Sequence, residues 1–164
     1  MPLRRVSVLG GSDPAARAEH LEAATQLGRL CAENGITVIY DGSSQGPIGA
    51  LTAALNQAHG LALSVVPQEL GERADGMIAL PGGPERLEEL LEACLSSSPG
   101  TEKPCGLLNT EDYFTGLLKA VPDEVVERFI HETQRGRLIV NRDPAELLRA
   151  IGDYRPPETR RQTS

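Results

Sequence analysis

Tryptophan is absent from this 164-residue chain and aromatic residues make up only 3% of it. No apolar run is long enough to span a bilayer. No basic excess exists either: the formal net charge is −7, which favours solubility and argues against nonspecific binding to nucleic acid or to an anionic membrane. Cysteines number three, an odd count, and Cys31, Cys94 and Cys105 lie inside apolar patterns. That pattern reads as buried, reduced thiols of a cytosolic protein. No Cys/His spacing suggests a metal site. His20, His59 and His131 fall on separate predicted helices with no partner motif, and read as surface or packing residues. Two nucleotide-binding signatures are missing as well. No G-x-G-x-x-G follows the first strand, and Gly46 is followed by Pro47 and Ile48 rather than by a P-loop lysine.

What is present is a regular alternation of apolar runs and helical patterns. Arg5 to Leu9, Ile36 to Tyr40, Leu61 to Val66, Gly76 to Leu80, Pro104 to Leu108 and Arg137 to Val140 read as strands, several rich in β-branched residues. Helices are predicted from about Ala15 to Asn34, with Ser12 or Asp13 as cap, and from Pro47 through His59. Further helices are expected after Pro84, over Asp112 to Ala120, over Asp123 to Gln134 and from Asp143-Pro144 through Ile151. Gly49, Ala50, Ala53 and Ala54 would let the second helix lie close to the sheet. Strand–helix alternation without repeat or linker predicts an α/β fold: a Rossmann-like, three-layer α/β/α domain with a mostly parallel sheet. Continuous apolar strands agree with burial on both faces. A single domain over 1–153 is expected, followed by a Pro/Arg/Thr-rich tail over 154–164 that frays. Met1 to Arg5 leads straight into a strand-like run with no signal-peptide core, so a cytoplasmic location is expected.

In a parallel sheet the strand-to-helix turns gather at one edge. Gly10-Gly11-Ser12, Gly42-Ser43-Ser44-Gln45-Gly46 and Pro81-Gly82-Gly83 should therefore converge. Small residues there let a ligand approach the backbone, and helix N-termini facing one crevice favour a phosphate. Alternatively, the glycines merely make tight turns.

These residues resemble the LOG (Lonely Guy) family, often mislabelled lysine decarboxylase. Pro81, Gly82, Gly83 and Glu89 match its P-G-G-x-G-T-x-x-E signature. Tyr40, Gly42, Gly46 and Gly49 fit its Y-G-G-G-x-x-G-x-M-G stretch, and Lys103 to Asn109 with Tyr113 fit K-P-x-G-L-L-N. The resemblance implies a phosphoribohydrolase that cleaves the N-glycosidic bond of a nucleoside 5′-monophosphate, of AMP or cytokinin-ribotide type, to free base and ribose 5-phosphate. It assigns Glu89 to stabilising the oxocarbenium-like ribose, and leaves Arg86 or Arg73 to supply the cation. Phosphate and substrate contacts would come from Gly10, Gly11, Ser12, Gly42, Ser43, Ser44, Gly46, Pro81, Gly82, Gly83 and Glu85. No metal and no cofactor are expected. A homodimer is, packed through the helix after Pro84.

Departures from the pattern fall at the site. Glu85 and Arg86 stand where the signature has glycine and threonine. Asp41 and Ser43 replace two glycines, and no M-x-x-R-K segment lies between Val66 and Met77. A second reading is therefore a catalytically silent relative that binds a nucleotide or phosphorylated cofactor, as a molybdenum-cofactor carrier does. A third is a scaffold subunit.

Overall fold

A computed structural model of the chain describes residues 3–66, 69–82, 103–120 and 138–155. Six strands form one parallel sheet: β1 (Arg5–Gly10), β2 (Thr37–Tyr40), β3 (Ala62–Ser64), β4 (Gly76–Leu80), β5 (Cys105–Leu108) and β6 (Leu138–Asn141). Their spatial order is β3-β2-β1-β4-β5-β6, and every pairing is parallel. Among the described residues the helices are α1 (Ala18–Glu33), α2 (Gly46–Gln57), α3 (Tyr113–Ala120) and α4 (Pro144–Asp153). The architecture is Rossmann-like, α/β/α. None of these helices is long and apolar enough to cross a membrane.

Strand pleating sends alternate residues to opposite faces, and two apolar clusters result. Val6, Val8, Ile78, Leu80 and Leu108 pack with Leu27 of α1, Leu51 of α2 and Leu147 of α4. Leu9, Met77, Ala79 and Leu107 pack on the other face with Phe114 of α3. All of β4 is buried, as a strand with neighbours on both sides and helices on both faces must be. Fully burying one such Leu or Ile contributes roughly 1.5–3 kcal/mol.

Several local expectations change. Helix α1 starts at Ala18, not near Ala15, and neither Ser12 nor Asp13 caps it; Arg17 holds that position without a side-chain bond. Asp13 instead closes a turn, its Oδ1 accepting from the Ala15 amide at 2.9 Å. The third strand is not buried on both sides. It shortens to Ala62–Ser64 because it lies at the sheet edge, and Leu61 and Leu63 are 59% and 41% exposed. Of the small residues expected against the sheet, Ala54 is buried and Ala53 faces solvent; α2 also lies close to α1, where Gly28 packs on the backbone of Leu51. His59 lies past the end of α2 with φ 61°. A short 3-10 turn, Thr110–Asp112, precedes α3.

Candidate functional site

The chain runs outward through β2 and β3, then returns to lay β4 on the other side of β1. The carboxyl ends of the strands beside such a reversal are where ligands of these sheets bind. The turns after β1, β2 and β4 come together there.

Asp13 N donates to Gly82 O at 2.9 Å and Ile48 N donates to Gly11 O at 2.8 Å. A Cβ built on Gly46 would stand 2.6 Å from the Asp13 carbonyl oxygen and 2.8 Å from that of Gly11. One on Gly82 would stand 3.3 Å from Ala16 Cβ and 3.5 Å from Pro47 Cγ. Gly11, Gly46 and Gly82 all have φ between 67° and 87°, a region that other residues enter at a cost. The glycines thus make tight turns and also allow three turns to pack as one unit. Gly10, Gly11, Ser12, Gly46, Pro81 and Gly82 belong to it. The segment Gly42 to Ser44 lies to one side: Gly42 faces Ser64 of β3, and Ser43 N donates to Asp41 Oδ1 at 2.9 Å. Gly83, Glu85, Arg86 and Glu89, together with Cys94 and His131, lie outside the described residues.

Helix ends at the crest are treated unequally. Helix α4, at the far edge, is capped by Asp143, which accepts from the Ala145 and Glu146 amides. Neither α1 nor α2, the helices that open at the reversal, has a side-chain cap. In addition, the amides of Ser12, Ser44 and Gln45 donate to no described residue. Helix starts without a side-chain cap, and amides not taken up by a neighbour, attract an anion because their partial positive charge is fixed in place; at α2 the Ile48 amide is already taken by Gly11 O.

A polar corner adjoins this unit. Buried Asn109, just beyond β5, accepts at Oδ1 from Phe114 N (2.9 Å) and Thr115 N (3.3 Å) and donates through Nδ2 to Thr115 Oγ1 (2.8 Å). His20, in the first turn of α1, meets Tyr113 edge to face with centroids 5.5 Å apart, and Tyr113 meets Phe114 in the same way. Nε2 of His20 and Oγ1 of Thr110 are buried without hydrogen-bond partners among the described residues. Of the two expectations for His20, surface or packing, the structure shows packing. Its spacing from Ala24, Leu27 and Cys31, on the buried stripe of α1, was the available signal for its burial.

Lys103, part of the K-P-x-G-L-L-N segment, stands before β5 and therefore at the opposite end of the sheet. There Nζ donates to Gly71 O at 2.6 Å and to Glu72 O at 3.3 Å. Burial lowers its pKa, against the opposing pull of Asp75 and Glu72. Among the described residues no cluster of His, Cys, Asp and Glu could hold a metal ion.

Fold and crest together define a doubly wound α/β protein whose glycine-rich turns gather at its strand reversal. Residues 66–151 match the family described as "Possible lysine decarboxylase". The chain is 32% identical over 181 aligned positions, covering 94% of itself and 74% of the relative, to the probable cytokinin riboside 5′-monophosphate phosphoribohydrolase LOGL5 of Oryza sativa subsp. japonica. With LOG7 of Arabidopsis thaliana, a cytokinin riboside 5′-monophosphate phosphoribohydrolase, identity is 31% over 180 positions, covering 93% and 83%. The chain belongs to the LOG family as a divergent member. Its alignment with the rice relative is longer than its own 164 residues, so that relative carries residues with no counterpart here. Among solved structures, the molybdenum cofactor carrier protein of Chlamydomonas reinhardtii superposes with a TM-score of 0.66 at 18% identity, covering 90% of this chain and 95% of the other. That likeness is one of fold.

Proposed function

We propose that this protein binds a phosphorylated, nucleotide-type small molecule at the crest, with the phosphate at the turns that lead into α1 and α2. The observation that carries this reading is the contrast in side-chain capping: Asp143 caps α4, while neither helix at the strand reversal has a side-chain cap. A nucleoside 5′-monophosphate is the first candidate, in line with the names of the plant relatives. A phosphorylated cofactor carried as cargo is the other, in line with the shared fold of the molybdenum cofactor carrier. Binding rather than turnover is favoured because Glu85 and Arg86 stand where the family signature has Gly and Thr. Of the described carboxylates at the crest, Asp13 and Asp41 brace their own turns, Asp112 pairs with Arg142 and Asp143 caps α4.

Hydrolysis is the second reading, favoured by 32% identity to a probable phosphoribohydrolase. In it, water replaces the base at ribose C1′, releasing free base and ribose 5-phosphate, with Glu89 stabilising the cationic ribose. Calorimetry with AMP, followed by chromatography for adenine, separates the two. Heat without adenine is the expected result. Adenine release abolished by Glu89→Ala would establish the hydrolase instead. No heat with AMP or any other phosphorylated ligand would end the binding reading. The protein is further proposed to be a homodimer, to be tested by light scattering.

A further inference from the structure

We propose that His20 is a ligand-recognition residue whose Nε2, sealed behind Tyr113 here, meets the hydrogen-bonding edge of the ligand's heterocycle when the Thr110–Tyr113 corner swings outward. This rests on the reading of the crest as a phosphate-ester site.

Position comes first. Strand β4 lies between β1 and β5. Helix α1 follows β1 and the Thr110–Asp112 turn follows β5, so a contact between them crosses the carboxyl end of β4. The rings of His20 and Tyr113 make that contact. They therefore stand beside the Pro81-Gly82 exit and the phosphate-attracting turns, where the rest of an anchored nucleotide must extend.

The second argument is an unmet hydrogen bond. His20 is only 5% exposed, and its Nε2 has no partner among the described residues; Thr110 Oγ1 is buried and equally unpartnered among them. Buried polar atoms are nearly always bonded, and leaving one unbonded opposes the arrangement that hides it. Here two such atoms sit on the two segments that meet at one corner. An imidazole can donate or accept according to its tautomer, so it suits the mixed donor and acceptor edge of a base.

A third observation concerns the corner that seals them. Glu111 and Asp112, neither of them glycine, both have φ 55°, a conformation such residues adopt under strain and one that gathers at ligand clamps. Outside, the turn is held by an exposed ion pair between Asp112 and Arg142, and pairs of that kind add little. The closed corner thus collects unmet bonds and strain in one place. A ligand that bonds His20 selects the open arrangement by supplying what the closed one lacks.

The test is calorimetry of the full chain with AMP and with ribose 5-phosphate, for wild type, His20→Phe and His20→Gln. Phe keeps a ring against Tyr113 and removes the nitrogens. Wild type should bind AMP more tightly than ribose 5-phosphate. His20→Phe should weaken AMP about tenfold, the worth of one hydrogen bond, and leave ribose 5-phosphate unchanged, while Gln restores part of the loss. Unchanged AMP affinity in His20→Phe would overturn the proposal while the phosphate-ester reading stood, as would equal wild-type affinity for the two ligands. Absence of binding by either ligand to wild type would overturn the phosphate-ester reading itself. Should His20→Phe fail to fold, His20→Leu is read by the same pair of ligands, with the same expected loss for AMP alone and the same overturning result.

Discussion

Gly46 lies against Asp13 so closely that a Cβ on it would stand 2.6 Å from the Asp13 carbonyl oxygen. Two turns far apart in sequence are thereby fused into one surface, which the Asp13-to-Gly82 hydrogen bond extends to a third. Gly46→Ala should cost about 2–4 kcal/mol, from the left-handed backbone and from the backbone contact together. Gly35→Ala is the control. It has a similar φ of +65° but open space around it, so only the conformational cost, about 1 kcal/mol, applies. Urea midpoints of the two variants measure the difference, and the larger loss should come with weaker AMP binding.

Asn109 holds the start of α3 to the end of β5. Replacing it by Ala removes the acceptor of the Phe114 and Thr115 amides and leaves a buried donor unpaired. A loss of about 2–3 kcal/mol is expected. Hydrogen exchange at the Phe114 amide should accelerate by more than the global destabilisation explains.

Asp143→Ala should cost about 1 kcal/mol, the usual value of an N-cap. Because α4 follows the edge strand β6, AMP affinity should not move. Titration of this variant beside wild type checks that the strand reversal, and not the far edge of the crest, carries binding.

Cys31 is fully buried between α1 and the sheet. Burial pushes its thiol from an ordinary 9.0 up to about 12. An acid whose pKa is higher in the folded state stabilises the fold below its unfolded pKa and loses that contribution as pH rises. Between about pH 9 and 12 Cys31 should therefore make stability fall with pH, by at most about 1.4 kcal/mol per unit. Denaturation series at several alkaline pH values, for wild type and Cys31→Ala, should show a shallower decline in the variant. The native thiol should resist labelling until the chain unfolds.

Much of the fold was legible in the residues because it is local. The run Gly76 to Leu80 has no polar break, and its strand is observed with the expected boundaries. Asp143-Pro144 carries a cap and a first-turn proline, and α4 opens as expected. Where local signals compete, boundaries shifted. Asp13 has the chemistry of a helix cap, yet it braces a turn, because the Asp13 amide and carbonyl are held by contact with Gly82 and Gly46. Leu61 to Val66 has the composition of a buried strand, yet most of it is exposed, since composition does not say that a strand lies at an edge.

What the sequence by itself determined is the alternation of strand and helix and the placing of small residues in the turns, both consequences of side-chain periodicity and backbone sterics. Tertiary structure alone decided that Gly11, Gly46 and Gly82 form one packed unit while Gly42 turns towards Ser64, and that His20 lies enclosed against Tyr113. Those relations depend on β4 lying between β1 and β5. Strand order joins residues remote along the chain, and no local preference encodes it.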